Sequence, residues 1–264
     1  MLSTYKVAAY NLSQASENKI HDDTVAQKLG FTGGLVPGVE VFAYMTHPVV
    51  ARWGRDWLQR GRMQGGFQKP LYDGHIAHVA ARLEAGGALA LTLSSDDIQC
   101  ANGTATLPAA IPAPSAAAYA APLPPATRPP ANEASLAVGT RLATKPAILT
   151  PQRHSDYLRD VREPHAMYAG EGIAHPGLLL RLCNSILVEN VVLAPWIHTA
   201  STLQNFALAR VGDELSARAR VVRNYEHNGH RLVDLDVVVV ANATTVAAQV
   251  LHTAIYKLRH LTVA

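Results

Sequence analysis

A histidine, His21, stands in SENKIHDDTVAQKLGFTGGLVPGVEVF, shortly before a glycine-rich turn and an apolar run. An imidazole there can be a base held beside a substrate pocket; it can equally be a polar residue that precedes a helix. A second histidine, His165, follows Asp160 by five residues in SDYLRDVREPHAMYAGEGIAHPG. A carboxylate and an imidazole can position water and move a proton, provided each reaches hydrogen-bonding distance. The same side chains also serve as helix caps, ion-pair partners or polar interface groups. Gly38 and Gly177 each introduce an apolar segment that reads as a helix. Glycine permits close approach to the backbone, and N–H groups at a helix start can polarise a carbonyl as negative charge develops.

Other residues of chemical type have structural uses that serve as well. His175 precedes Pro176-Gly177 and could orient the helix start or make a structural hydrogen bond. Asp22 and Asp23 favour a helix N-terminus electrostatically. Arg52, Arg55, Arg60 and Arg62 could attract phosphates, and a solvated basic face has the same composition. His75/His78 and His227/His230 are spaced i,i+3 near expected strands or a turn, where odd spacing points them to opposite faces and makes no metal clamp. Cys100 and Cys183 lie far apart and are expected to be reduced thiols that pack as small apolar groups. Ser16 and Ser185 lack a nucleophile elbow. Neither FTGG nor YAGEG is a P-loop or dinucleotide fingerprint.

The elements that could position these residues occur twice. GGLVPGVEVFAYMTHPVVARW and EGIAHPGLLLRLCNSILVENVVL place Gly38 and Gly177 139 residues apart, while the later landmarks Gly74 and Gly212 are 138 apart. In the second copy Leu215, Ala217, Ala219 and Val221 alternate as one buried strand face. Asn228-Gly229 then reads as a hairpin turn into a partner strand over 232–240, with a further strand over 246–256. The first copy repeats the hairpin over 75–83, Gly86-Gly87 and 88–93. Helices are expected at 35–50 and 173–193, and 51–61 reads as an exposed transition. Between the copies, TLPAAIPAPSAAAYAAPLPPATRPPANEAS is too rich in proline for a regular helix or a central strand and reads as an extended connection. The expected class is α+β, each half an antiparallel sheet wrapped around a central helix. The units are 1–110, a Pro/Ala-rich connection over 111–135, and 136–264.

Composition narrows the function classes. The chain has 264 residues, 48% of them apolar, enough for a sizeable core. A formal charge of +3 with no basic-aromatic cluster gives no case for nucleic acid. The first residues lack a signal-peptide pattern, and the apolar segments are short or interrupted, so no membrane span is indicated. A cytoplasmic protein is expected.

NKIHDD, FTGGLVPGVEVF and GGFQKPLYDGH resemble the MaoC-like branch of the hotdog superfamily, and EGIAHPGLLLR and FALARVGDELSARARV repeat the resemblance. It covers nearly the whole chain apart from the Pro/Ala connection. The resemblance implies a double hotdog, its two sheets joined much as two single-hotdog subunits join in a dimer. It implies a hydratase or dehydratase that adds or removes water at a 2-enoyl/3-hydroxyacyl thioester of CoA or an acyl carrier. CoA would then be part of the substrate, with no separate cofactor or metal. The family motif has an aspartate five residues before a histidine, with asparagine-proline between. Asn18 and His21 match it, while Ser16 replaces the aspartate and Lys19 the proline. Asp23 matches a frequent acidic position after the histidine. Asp160 and His165 reproduce the five-residue spacing, with Arg162 in place of asparagine and Pro164 one position late. Gly38 and Gly177 are the candidates for binding the thioester carbonyl. An acyl-CoA thioesterase stands as one alternative, because the fold can share a substrate channel across different reactions; because a neutral serine is no carboxylate base, a noncatalytic acyl-thioester-binding or assembly protein stands as another. A homo-oligomer is compatible with each.

Overall fold

Eleven strands join in one antiparallel sheet in the computed structural model, which describes residues 2–259. The first half runs β1 (Leu2–Ala8), α1 (Asp23–Lys28), α2 (Gly38–Arg60), β2 (Arg62–Phe67), β3 (Ile76–Leu83), β4 (Leu89–Ser95) and β5 (Ile98–Thr106). The second runs β6 (Arg141–Ala143), β7 (Ala147–Ile148), α3 (Pro151–Asp160), α4 (Ala166–Glu171), α5 (Pro176–Asn190), β8 (Ile197–Asn205), β9 (Glu214–His227), β10 (His230–Ala241) and β11 (Thr245–Lys257). The strand order is β1-β3-β4-β5-β2, then β8-β11-β10-β9-β6, with β7 also on β9. The second series is the first in reverse, so the repeated spacing of glycines corresponds to a repeated topology. β2 and β8 form the seam, pairing Arg62 with Gln204 through Gly66 with Ala200.

The turn and helix signals act as their chemistry dictates. Asn228 and Gly229 adopt φ of 50° and 78°, the left-handed pair that a two-residue hairpin needs. α2 and α5 bury their apolar faces against the sheet and meet each other at the centre, so that one apolar cluster runs through both halves. The 51–61 segment is not an exposed transition: α2 continues to Arg60, with Trp57 and Leu58 buried. A left-handed kink at Gly54 (φ 54°) redirects the helix end.

The Val237–Val240 run departs from alternation because both faces of β10 are covered. Val237 and Val239 join the main core, whereas Val238 and Val240 pack with Ala116 of the connecting segment on the other face. Tyr119 anchors that segment through its hydroxyl, which donates to Asp236 at 2.8 Å. The connection is therefore a strap packed on the second half. Among the described residues, no helix is long and apolar enough to cross a membrane.

Candidate active site

A cavity of about 200 Å³ opens at the junction of the halves, bounded by His21, Gly38 and Phe67 on one side and Asn184, Trp196 and His198 on the other. His21 reaches it through a short helical turn, Lys19–His21, which Asn18 caps. The Asn18 amide is pinned by the backbone of Trp196: Oδ1 accepts from the Trp196 N–H at 3.2 Å, and Nδ2 donates to the Trp196 carbonyl at 2.9 Å. This clamp ties the first half to the second and leaves Nδ2 3.3 Å from His21 Nε2.

The imidazole itself has a defined tautomer. His21 Nδ1 lies 2.6 Å from the Leu35 carbonyl, which can only accept, so Nδ1 carries the proton and Nε2 the lone pair. Burial lowers the pKa to about 4; the positive charge of Arg181 acts in the same direction, and the Leu35 carbonyl opposes them. His21 is therefore neutral and a proton acceptor at neutral pH. Asp22 caps α1 by accepting from the Val25 N–H, and Asp23 accepts from the Gly34 N–H at 2.7 Å, fixing the glycine turn that leads to α2.

α2 begins at the cavity without a side-chain cap. Its first N–H groups lack intrahelical partners, which leaves a positively polarised end facing the space beside His21. Gly38 is required by proximity: a Cβ there would stand 2.9 Å from His198 Nδ1 and 3.0 Å from Phe67 Cδ2. Gly38→Ala must displace the helix start or these walls, and ångström-scale misplacement can cost about 100-fold in rate. For a substrate turned over in this cavity, we expect a loss of that order in kcat/KM with folding retained; thermal melting beside the kinetics checks both parts.

The matching helix start in the second half is closed. His175 Nδ1 accepts from the Gly177 N–H at 3.1 Å, and the ring is fully buried beside Tyr157 and Tyr168. Glu163 fills the remaining polar position, 2.9 Å from His47 Nδ1 and 3.5 Å from His175 Nε2. Burial would raise the Glu163 pKa, yet the hydrogen bonds with His175 and His47 prevail and lower it. Gly177 serves packing, since a Cβ would overlap the Tyr157 hydroxyl and lie 2.6 Å from Ala43 Cβ. Overpacking of this kind costs about 1–3 kcal/mol, so Gly177→Ala is expected to lower the melting temperature by several degrees.

Asp160 and His165 are not brought together with His21. Asp160 ends α3 in an ion pair with Arg159 at 2.8 Å, and His165 caps α4 by accepting from the Met167 N–H at 3.3 Å. Their spacing reflects two successive helix ends, and neither residue lines the cavity. Ser16 borders a second, more polar cavity behind Asn18 and His21, with Arg181 and Asn184. Among the described residues, no carboxylate lines the main cavity. Of the four arginines near the end of α2, Arg55 pairs with Glu171 and Arg60 with Asp56. An exposed cation that does line the cavity is Lys69, from the GGFQKPLYDGH segment. His75 pairs with Asp96. Among the described residues no group of three or more His, Cys, Asp or Glu is placed to hold a metal. Both cysteines are buried and unbridged.

Asn184, Trp196 and His198 carry no motif that sequence reading could find. They enter the site only because α5 and β8 of the second half cross the first half at the seam.

No protein-family model matches the chain, and no curated protein matches it. Solved structures do. A Mycobacterium tuberculosis protein with a double hotdog fold is 12% identical, with 96% of this chain and 95% of that one covered and a TM-score of 0.65. A MaoC domain protein from Chloroflexus aurantiacus J-10-fl, named as a dehydratase, is 12% identical over 98% and 95%, at 0.62. A trans-AT PKS dehydratase domain from Brevibacillus brevis is 14% identical over 98% and 94%, at 0.55. The fold is thereby a double hotdog, shared in full length with MaoC-like dehydratases.

Proposed function

We propose that this cavity hydrates 2-enoyl thioesters, or dehydrates the corresponding 3-hydroxyacyl thioesters, at His21. The observation that carries the reading is a neutral imidazole, its unprotonated Nε2 held 3.3 Å from the Asn18 amide, in the same apolar cavity as the uncapped start of α2 at Gly38. Hydration needs a proton acceptor for the attacking water and donors for the carbonyl oxygen that gains charge. His21 Nε2 takes a proton from water as the oxygen bonds to C3. The double-bond electrons move toward C2 and the thioester carbonyl, whose oxygen faces the N–H groups at Gly38. The imidazolium then delivers its proton to C2, giving the 3-hydroxyacyl thioester. An imidazolium whose pKa is about 4 is a strong enough acid to favour that return. Lys69 is suited to the phosphates of CoA, which enters only as part of the substrate.

Ser16 in place of a carboxylate favours a second reading, an acyl-thioester binder without turnover. Crotonyl-CoA separates these outcomes from hydrolysis. Loss of the enoyl absorbance without free thiol supports hydration, and release of CoA supports a thioesterase. Binding with neither change assigns a noncatalytic module.

A further inference from the structure

A chain of hydrogen bonds leads from a backbone carbonyl to the cavity, and each link sets the orientation of the next. His198 Nε2 lies 3.0 Å from the Ala200 carbonyl, which can only accept, so Nε2 carries the ring proton. The same nitrogen lies 2.9 Å from Ser201 Oγ, which accepts from it. Ser201 therefore turns its own O–H toward His252 Nδ1, 3.0 Å away. That leaves the proton of His252 on Nε2, which donates to Asn184 Oδ1 at 3.0 Å. With its oxygen so engaged, the Asn184 amide can present only its nitrogen elsewhere. Nδ2 has no protein partner among the described residues, and Asn184 lines both the main cavity and the polar cavity behind His21.

The network is built to hold one setting. His198 and His252 are buried and stacked, ring centroids 4.1 Å apart. Burial keeps both imidazoles neutral, with the pKa of His252 lowered to about 3. A second proton on His252 would make its Nδ1 a donor to Ser201 and reverse that link. Three buried polar side chains, His198, Ser201 and His252, line up behind one amide.

We propose that Asn184 is a substrate-binding residue whose Nδ2 donates to the oxygen on C3, the attacking water or the 3-hydroxyl, and that His252, Ser201 and His198 are positioning residues that fix this amide. The assignment rests on the thioester reading above. With the carbonyl oxygen directed to the start of α2, the oxygen at C3 is the remaining acceptor beside His21. Asn184 and His21 then hold that oxygen as donor and acceptor, a pairing that needs no carboxylate at Ser16.

The test is binding, measured calorimetrically with both enantiomers of 3-hydroxybutyryl-CoA and with butyryl-CoA. One neutral hydrogen bond of about 1 kcal/mol corresponds to about a 5-fold preference for the better-fitting hydroxylated ligand. Asn184→Leu is expected to abolish the preference while leaving butyryl-CoA affinity nearly unchanged. Ser201→Ala, which interrupts the chain without touching α5, is expected to weaken it. A preference retained in Asn184→Leu, or absent from the unmodified protein, would overturn the assignment. Binding of neither ligand would sink the thioester reading and this one with it. Nitrogen NMR of histidine-labelled protein tests the wiring without ligand: both imidazoles are expected as neutral Nε2–H tautomers. A proton on Nδ1 of His252 would turn the Asn184 oxygen to the cavity and refute the proposal.

Discussion

His21→Ala is expected to lower kcat for crotonyl-CoA hydration by about 100- to 10,000-fold, the range for loss of a positioned acid–base group. The fold should persist, because the Asn18–Trp196 clamp and the Leu35–Ile20 backbone bond remain in place. The pH profile identifies the group. A proton acceptor with a pKa of about 4 is already deprotonated at neutral pH, so turnover should be flat above about pH 5 and fall tenfold per unit below about pH 4. Stability carries the same signature with a defined sign. The folded pKa of about 4 lies below the ordinary 6.5, so between these values the unfolded chain binds a proton that the folded chain does not. Stability is therefore lost as pH falls through that window, by roughly 3 kcal/mol at full extent. Denaturant titrations at pH 7 and pH 4.5 should show a smaller acid loss in His21→Ala than in the unmodified protein. Equal losses would show that His21 does not change its proton affinity on folding.

The second large effect concerns stability. Glu40 of α2 is fully buried, and its Oε1 accepts from Arg181 Nη1 of α5 at 2.7 Å, while Oε2 has no partner. Burial raises the Glu40 pKa, and the charge and hydrogen bond of Arg181 oppose the rise. Arg181→Met leaves a buried carboxylate uncompensated, a change that typically costs about 3–5 kcal/mol. A carboxyl whose folded pKa is raised is most stable when protonated, so the deficit should grow as pH rises through that pKa and shrink in acid. Adding Glu40→Gln to Arg181→Met is expected to restore most of the loss, since no charge then remains buried. Chemical denaturation of the two single variants and the double variant at pH 5 and pH 7 measures this. A double variant as unstable as the sum of the singles would show that the pair contributes packing alone. Arg181 also depresses the His21 pKa, so Arg181→Met should move the acid limb of the activity profile to higher pH.

The duplicated layout was legible in the sequence because its signals are local. Paired glycines opened α2 and α5, Asn228-Gly229 made a turn, and alternation along 215–221 marked a half-buried strand. His21 stood out for a similar reason: its turn, its Asn18 cap and its Leu35 acceptor lie within one short segment. Periodicity misread the end of α2, because the burial of Trp57 depends on a kink at Gly54 and on what lies across from it. The four valines of β10 could not reveal that a proline-rich connection covers their second face. Spacing also made Asp160 and His165 look like a pair, although a helix end and a new cap separate their surroundings. Which glycine faces an open cavity was decided only by tertiary structure: His175, Tyr157 and Tyr168 close the start of α5, whereas no side chain caps α2. Asn184, Trp196 and His198 join His21 from more than 160 residues away, because β2 pairs with β8 and α2 packs on α5. Such partners share no period and no motif; strand pairing across the seam and the packing of α2 on α5 set them against the site.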